Sequence, residues 1–195
     1  MNKIKDEQDA FTKESLMDLL RALIPYQNLE NIDRLYEMCI KNLSSIKDKK
    51  EQKKIYRLLE EICGSEREQC KKFVTSNCKD IQKLLMKSLN SDSVCSKGAR
   101  LRCLHYLIKT QPQLDGESKF LKSILSEAIM CCKDVNEKCR SMAYKLLILI
   151  GETLQEHRQT KQFVNMLISG LGGTQHLISC TLLALTSVLY NFTSK

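Results

Sequence analysis

The sequence predicts an all-α protein, a HEAT/armadillo-like α-solenoid of about nine helices in antiparallel pairs. Three observations carry that expectation. Seven Gly and two Pro in 195 residues fall well short of the roughly 12% found on average, too few for a turn-rich all-β sandwich or barrel. Apolar residues recur at spacings of three and four nearly everywhere, and period-two alternation is never sustained. One set of apolar anchors also returns about every 40 residues. With 43% hydrophobic and 28% charged residues, the chain is neither disordered nor collagen-like.

The elements follow in order. A short first helix carries Leu16, Leu19, Leu20 and Leu23 and ends at Pro25, with residues 1–12 expected to be flexible. The second runs Ile32, Leu35, Tyr36, Cys39, Leu43, Ile46. The third holds Ile55, Leu58, Leu59 and Ile62 and stops at Gly64. Ser65 and Glu68 then form a capping-box pattern for a fourth, through Cys70, Phe73, Ile81, Leu85 and Leu89. Asn90-Ser91-Asp92-Ser93 reads as a turn. The fifth helix holds Leu101, Leu104 and Ile108 and ends before Pro112; the sixth holds Leu121, Ile124, Leu125, Ala128 and Cys132. The seventh has the longest stripe, from Cys139 through Leu146 and Ile150 to Leu154. The eighth runs from Phe163 to Leu171, closed by Gly172-Gly173, and the ninth from about Gln175 to Phe192.

The repeat lies in the odd-numbered helices. Ile55/Leu58/Ile62, Leu101/Leu104/Ile108, Ala143/Leu146/Ile150 and Leu182/Leu185/Leu189 share the offsets i, i+3, i+7. Each interval between sets accommodates one two-helix hairpin, which must stack on its neighbours to bury its apolar face. An irregular bundle would share such offsets by chance, and the four aligned units favour the solenoid. Residues 1–195 are therefore expected to form a single segment of about four hairpin repeats. The ninth helix is apolar around most of its circumference, the pattern of a buried helix, with nothing after it to cover it. That implies a fragment of a longer repeat protein, or a partner that covers this helix.

Chemistry is sparse. Met1 to Glu7 contains no apolar signal segment, so the ten cysteines are expected to be free in a reducing, intracellular setting, with Cys39, Cys63, Cys132, Cys139 and Cys180 in the core. No run approaches the roughly 18 apolar residues of a membrane span, so no membrane partner is expected. Cysteine spacings of seven or eight suggest helix periodicity rather than metal ligation, the three histidines are scattered, and no nucleophile or phosphate-loop motif stands in its required context. The expectation is no catalytic residue, no metal, no cofactor and no small-molecule substrate.

The charge is more informative. The net +8 divides into −2 over residues 1–48, +9 over 49–145 and +1 over 146–195, counted from the sequence. Lys49, Lys50, Lys53 and Lys54, with Arg57 a turn later, open the third helix; Lys97, Arg100 and Arg102 open the fifth; Lys138 and Arg140 open the seventh. Cations at a helix N-terminus oppose the macrodipole by about 0.3–1 kcal/mol each when exposed. If the hairpins stack, these ten residues line one rim and form a candidate RNA-binding surface. The alternative is a solvated face neutralised by Glu51, Glu60, Glu61 and Glu137.

Three stretches, Lys49-Lys50-Glu51-Gln52-Lys53-Lys54-Ile55-Tyr56-Arg57-Leu58-Leu59-Glu60-Glu61-Ile62-Cys63, Ala99-Arg100-Leu101-Arg102-Cys103-Leu104 and Ser179-Cys180-Thr181-Leu182-Leu183-Ala184-Leu185-Thr186, resemble the central region of the ribosomal RNA-processing protein 12 family. The resemblance extends over about residues 10–195. It implies a long HEAT-repeat protein of the nucleus and nucleolus that shuttles to the cytoplasm, without catalysis. It also implies work in pre-rRNA processing, pre-ribosomal subunit maturation and nuclear export. The partners it implies are pre-ribosomal RNA and ribosomal or transport proteins, with flanking repeats meeting the apolar C-terminal helix. The competing expectation is a karyopherin-like protein adaptor that makes no direct RNA contact.

Overall fold

The structure, a computed structural model, describes residues 2–45, 48–87, 96–110, 119–154 and 157–193. Among the described residues there are nine α-helices and no strand: α1 (Asn2–Leu23), α2 (Leu29–Ser45), α3 (Lys49–Gly64), α4 (Glu68–Lys87), α5 (Lys97–Thr110), α6 (Lys119–Cys131), α7 (Glu137–Thr153), α8 (His157–Ser169) and α9 (Gln175–Thr193). Single 3-10 turns, Ile24–Tyr26 and Gly170–Gly172, follow α1 and α8. The turn expected at Asn90–Ser93 and the stop at Pro112 lie outside the described residues.

Short polar side chains set the starts. Asp48 Oδ1 accepts from the backbone N–H of Lys50 (2.6 Å) and Glu51 (3.1 Å) ahead of α3. Asn136 Oδ1 accepts from Lys138 (2.9 Å) and Cys139 (3.3 Å) ahead of α7, and Asn28 Oδ1 accepts from Asn31 N–H (2.9 Å) ahead of α2. Each satisfies donors that the first helical turn leaves open. The capping box expected at Ser65 does not form. Arg67 O accepts the first helical bond of α4, from Lys71 N–H, so Glu68 sits one residue into the helix, and Ser65 Oγ accepts from Arg67 N–H at 3.4 Å and bonds to the Cys70 thiol instead of an N3 backbone N–H.

Consecutive helices pair as α2/α3, α4/α5, α6/α7 and α8/α9, and the pairs stack so that α1, α3, α5, α7 and α9 form one layer and α2, α4, α6 and α8 the other. This is the architecture the repeat predicts. The anchors of α3, α5 and α7 are all buried, and each Leu or Ile contributes about 1.5–3 kcal/mol by leaving water. In α5 burial extends round the helix, from Ala99 and Leu101 to Cys103, Leu104 and Leu107, because hairpins lie on both sides of it. All nine described cysteines are free and buried.

The two ends depart from expectation. The backbone of α1 is helical from Asn2, 22 residues where a short helix was expected; no Gly or Pro interrupts that stretch. Most of its leucine stripe does not face the core: Leu16, Leu19 and Leu23 are exposed, Leu20 packs partly against the core and Met17 is buried. Polar bridges to α3 fix this rotation, with Arg21 Nε donating to Glu61 Oε2 at 3.2 Å and Lys54 paired to Asp18. The ninth helix is not enclosed either. Cys180, Ala184 and Val188 face inward, but Leu182 is 52% and Leu189 59% exposed. Two of the three anchors buried in earlier units, Leu182 and Leu189, therefore lie open in the fourth, while Leu185 is half-buried against the core.

Candidate functional site

The layer of odd-numbered helices brings the starts of α3, α5 and α7 to one side, as the rim hypothesis requires. There they wall a groove of about 690 Å³ lined by Lys53 and Arg57 of α3, Gly98 and Arg102 of α5, and Asp134 to Cys139 at the entry to α7, including Lys138. Among the described residues no carboxylate lies within ion-pair distance of Lys53, Arg57 or Lys138. Asp134 and Glu137 are the acidic groups on this wall.

A second groove of about 790 Å³ runs along α6 and carries Lys87, Lys97, Lys119 and Lys122 with Ser123, Ser126 and Met130. Only Lys97 of these lysines was singled out from the sequence. Lys87 closes α4, while Lys119 and Lys122 open α6, so the cluster draws on three helices. Its visible signal was the cationic start of α6, the same signal that marked the odd helices.

The ten candidate residues have different fates. Lys49 and Lys50 are exposed on the first turn of α3. Lys53, Arg57 and Lys138 face the first groove, and Lys97 faces the second. Arg102 also lines the first groove, but its Nε is bound to Glu60 Oε1 at 2.7 Å. Lys54 is held against Asp18, whose carboxyl that hydrogen bond keeps below the usual range. Arg100 is 2% exposed and paired with Glu127 of α6, whose side chain is 8% exposed, at the wall of the second groove. Arg140 is engaged with backbone. Its Nη1 donates to the carbonyls of Asp134 (2.8 Å) and Val135 (3.1 Å).

Cysteine spacing alone suggested no ligand set, but the fold gathers Cys131, Asp134 and Cys139, whose Sγ and carboxylate oxygen atoms lie within 4.8 Å of one another. A hydrogen bond between the thiols pushes Cys131 up and, together with burial, keeps its proton in place, while the same bond lowers Cys139. Elsewhere burial pushes the Cys39 and Cys132 thiols up to about 12, the behaviour of inert core cysteines.

Fold and grooves together define the class: an armadillo/HEAT-like α-solenoid with basic grooves on its surface. Two solved structures of designed armadillo repeat proteins share the fold, one designed for modular peptide recognition and one in complex with the peptide (KR)4. Each has a TM-score of 0.52 and 16% identity, and covers 89% of this chain and 74% of the other. No family model matches the chain.

Its homologues are narrower in kind. RRP12-like protein from Gallus gallus is 35% identical over 192 residues and that from Homo sapiens 34% over 188, covering 95% and 93% of the chain. Ribosomal RNA-processing protein 12 from Saccharomyces cerevisiae is 24% identical over 215 residues and covers all of it. These homologues bear out the resemblance carried by the three stretches. The chain spans 14% of the length of the two vertebrate relatives and 17% of the yeast one.

Proposed function

We propose that the chain is a non-enzymatic scaffold segment acting in ribosome biogenesis, in pre-rRNA processing and pre-ribosomal subunit maturation and export, and that it binds pre-ribosomal RNA through its two basic grooves. The observation that carries this is the convergence of Lys53 and Arg57 from one hairpin and Lys138 from another on one groove, with no carboxylate in ion-pair reach among the described residues. A rigid stack holds such cations at fixed separations, so affinity accumulates from many phosphate contacts. The homologues named for ribosomal RNA processing support the process, and with it a nuclear and nucleolar location. The chain is in this reading one segment of a longer solenoid. Flanking helical repeats cover the open leucines of α1 and α9, and ribosomal or transport proteins are further partners.

The test is charge reversal in the two grooves of the protein, read as affinity for a structured pre-ribosomal RNA fragment. Lys53→Glu/Arg57→Glu/Lys138→Glu is expected to weaken binding about tenfold or more at moderate salt with helicity unchanged, and Lys87→Glu/Lys119→Glu/Lys122→Glu to do the same from the other groove. Unchanged affinity in both variants would overturn the RNA reading in favour of a protein adaptor.

A further inference from the structure

Between the two grooves, the turn from α6 into α7 brings two buried thiols and a carboxylate together. Cys131 is the last residue of α6, Asp134 lies in the turn, and Cys139 is in the first turn of α7. We propose that Cys131, Asp134 and Cys139 form a zinc-binding site that fastens the α6–α7 turn.

Four features support it. The donor set, two sulfurs and one carboxylate oxygen within 4.8 Å, suits a borderline-soft, tetrahedral ion and is poor for magnesium or calcium, which take oxygen ligands. The turn is already held from outside by α7. Arg140 Nη1 donates to the Asp134 and Val135 carbonyls, and Tyr144 Oη donates to the Cys132 carbonyl at 2.9 Å. The backbone N–H of Asn136 donates to Asp134 Oδ1 at 2.8 Å, which orients the carboxylate as outer partners of metal ligands do. Finally, an entry path exists, because Asp134 and Cys139 line one groove and Cys131 the other. Binding displaces the two thiol protons to solvent; two thiolates and a carboxylate against a dication leave one negative charge, which Lys97 beside the site offsets. Water completes the tetrahedron on the groove side.

The test uses the full chain, purified and reduced with a non-chelating phosphine, and titrated with Zn(II) and with Co(II) as a spectroscopic probe. One equivalent of zinc retained after dialysis, visible d–d bands of a thiolate-bound tetrahedral Co(II), and a rise of the unfolding midpoint with added zinc are expected. Cys139→Ser is expected to abolish the Co(II) bands, Asp134→Asn to weaken zinc about tenfold or more, and Cys78→Ser, outside the cluster, to change neither. Asp134→Asn keeps the acceptor for Asn136, so it reports even if a cysteine variant misfolds. No stoichiometric zinc, zinc binding indifferent to Asp134→Asn and Cys139→Ser, or a Cys131–Cys139 disulfide in place of metal would each overturn the proposal.

Discussion

Arg100 and Arg57 are both helix-start arginines in the sequence and both line grooves, yet Arg100 is buried in an ion pair while Arg57 has no carboxylate in ion-pair reach among the described residues. The difference is Glu127, 27 residues further on, which reaches Arg100 across the α5–α6 contact. Removing one member of such a pair strands the other in a poorly solvated place. Arg100→Ala is therefore expected to cost about 3–5 kcal/mol, and Arg100→Met/Glu127→Leu to recover most of it, since a well-packed apolar replacement is often neutral. Urea unfolding of the three variants measures this directly. His105 makes a second residue-scale case. Burial, helped by Lys109 and Lys145, holds its imidazole below the ordinary 6.5, and its Nδ1 has no hydrogen-bond partner among the described residues. The unfolded chain takes up the proton first, so the stability this neutral ring contributes is present above that ordinary value and is lost as pH falls through the folded value. Stability is expected to fall as pH drops below about 6.5 and on through the lower folded value, and His105→Gln to flatten that fall in a pH series of unfolding midpoints. Neither effect was legible in the sequence, because both depend on neighbours from other hairpins.

Elements were the most legible scale. The stop at Gly64, the closure at Gly172-Gly173 and the long stripe of α7 follow from local chemistry, and the helices lie where those signals place them. The misjudged start of α4 and rotation of α1 have a common cause. Capping at Ser65 and the facing of the α1 leucines are settled by the fit against α3, a tertiary effect that local pattern does not encode. Asn136 is the cap that matters most for the candidate site, since it opens α7 beside the cysteine cluster. Asn136→Ala is expected to cost about 1 kcal/mol in thermal or chemical unfolding. At the other end, a Cβ on Gly170 would overlap Thr181 Oγ1 and come within 3.2 Å of Thr181 Cβ. Gly170→Ala is thus expected to cost about 1–3 kcal/mol, with Thr181→Ala restoring most of it.

At the scale of the molecule, the solenoid was legible because its anchors recur on equivalent faces of equivalent helices. The grooves were only half legible. Their cations come from separate hairpins, and the second groove draws Lys87, Lys119 and Lys122 from even-numbered helices outside the repeat used to find the first. The same repeat gives the open face of α9 its meaning: Leu182 and Leu189 occupy positions that in earlier units are covered by the next hairpin. Leu182→Lys/Leu189→Lys is accordingly expected to leave stability within about 0.5 kcal/mol, as surface changes do, while abolishing binding to a flanking hairpin supplied in trans.

The central claim is that this surface binds nucleic acid by charge. Its most direct test is the affinity of the chain for a structured pre-ribosomal RNA fragment across a monovalent salt series. With four to seven phosphate contacts from the groove cations, log K is expected to fall against log salt with a slope of about −3 to −5, and the slope to shrink by about two units in Lys53→Glu/Arg57→Glu/Lys138→Glu. A slope near zero, or one unchanged by that variant, would contradict the account.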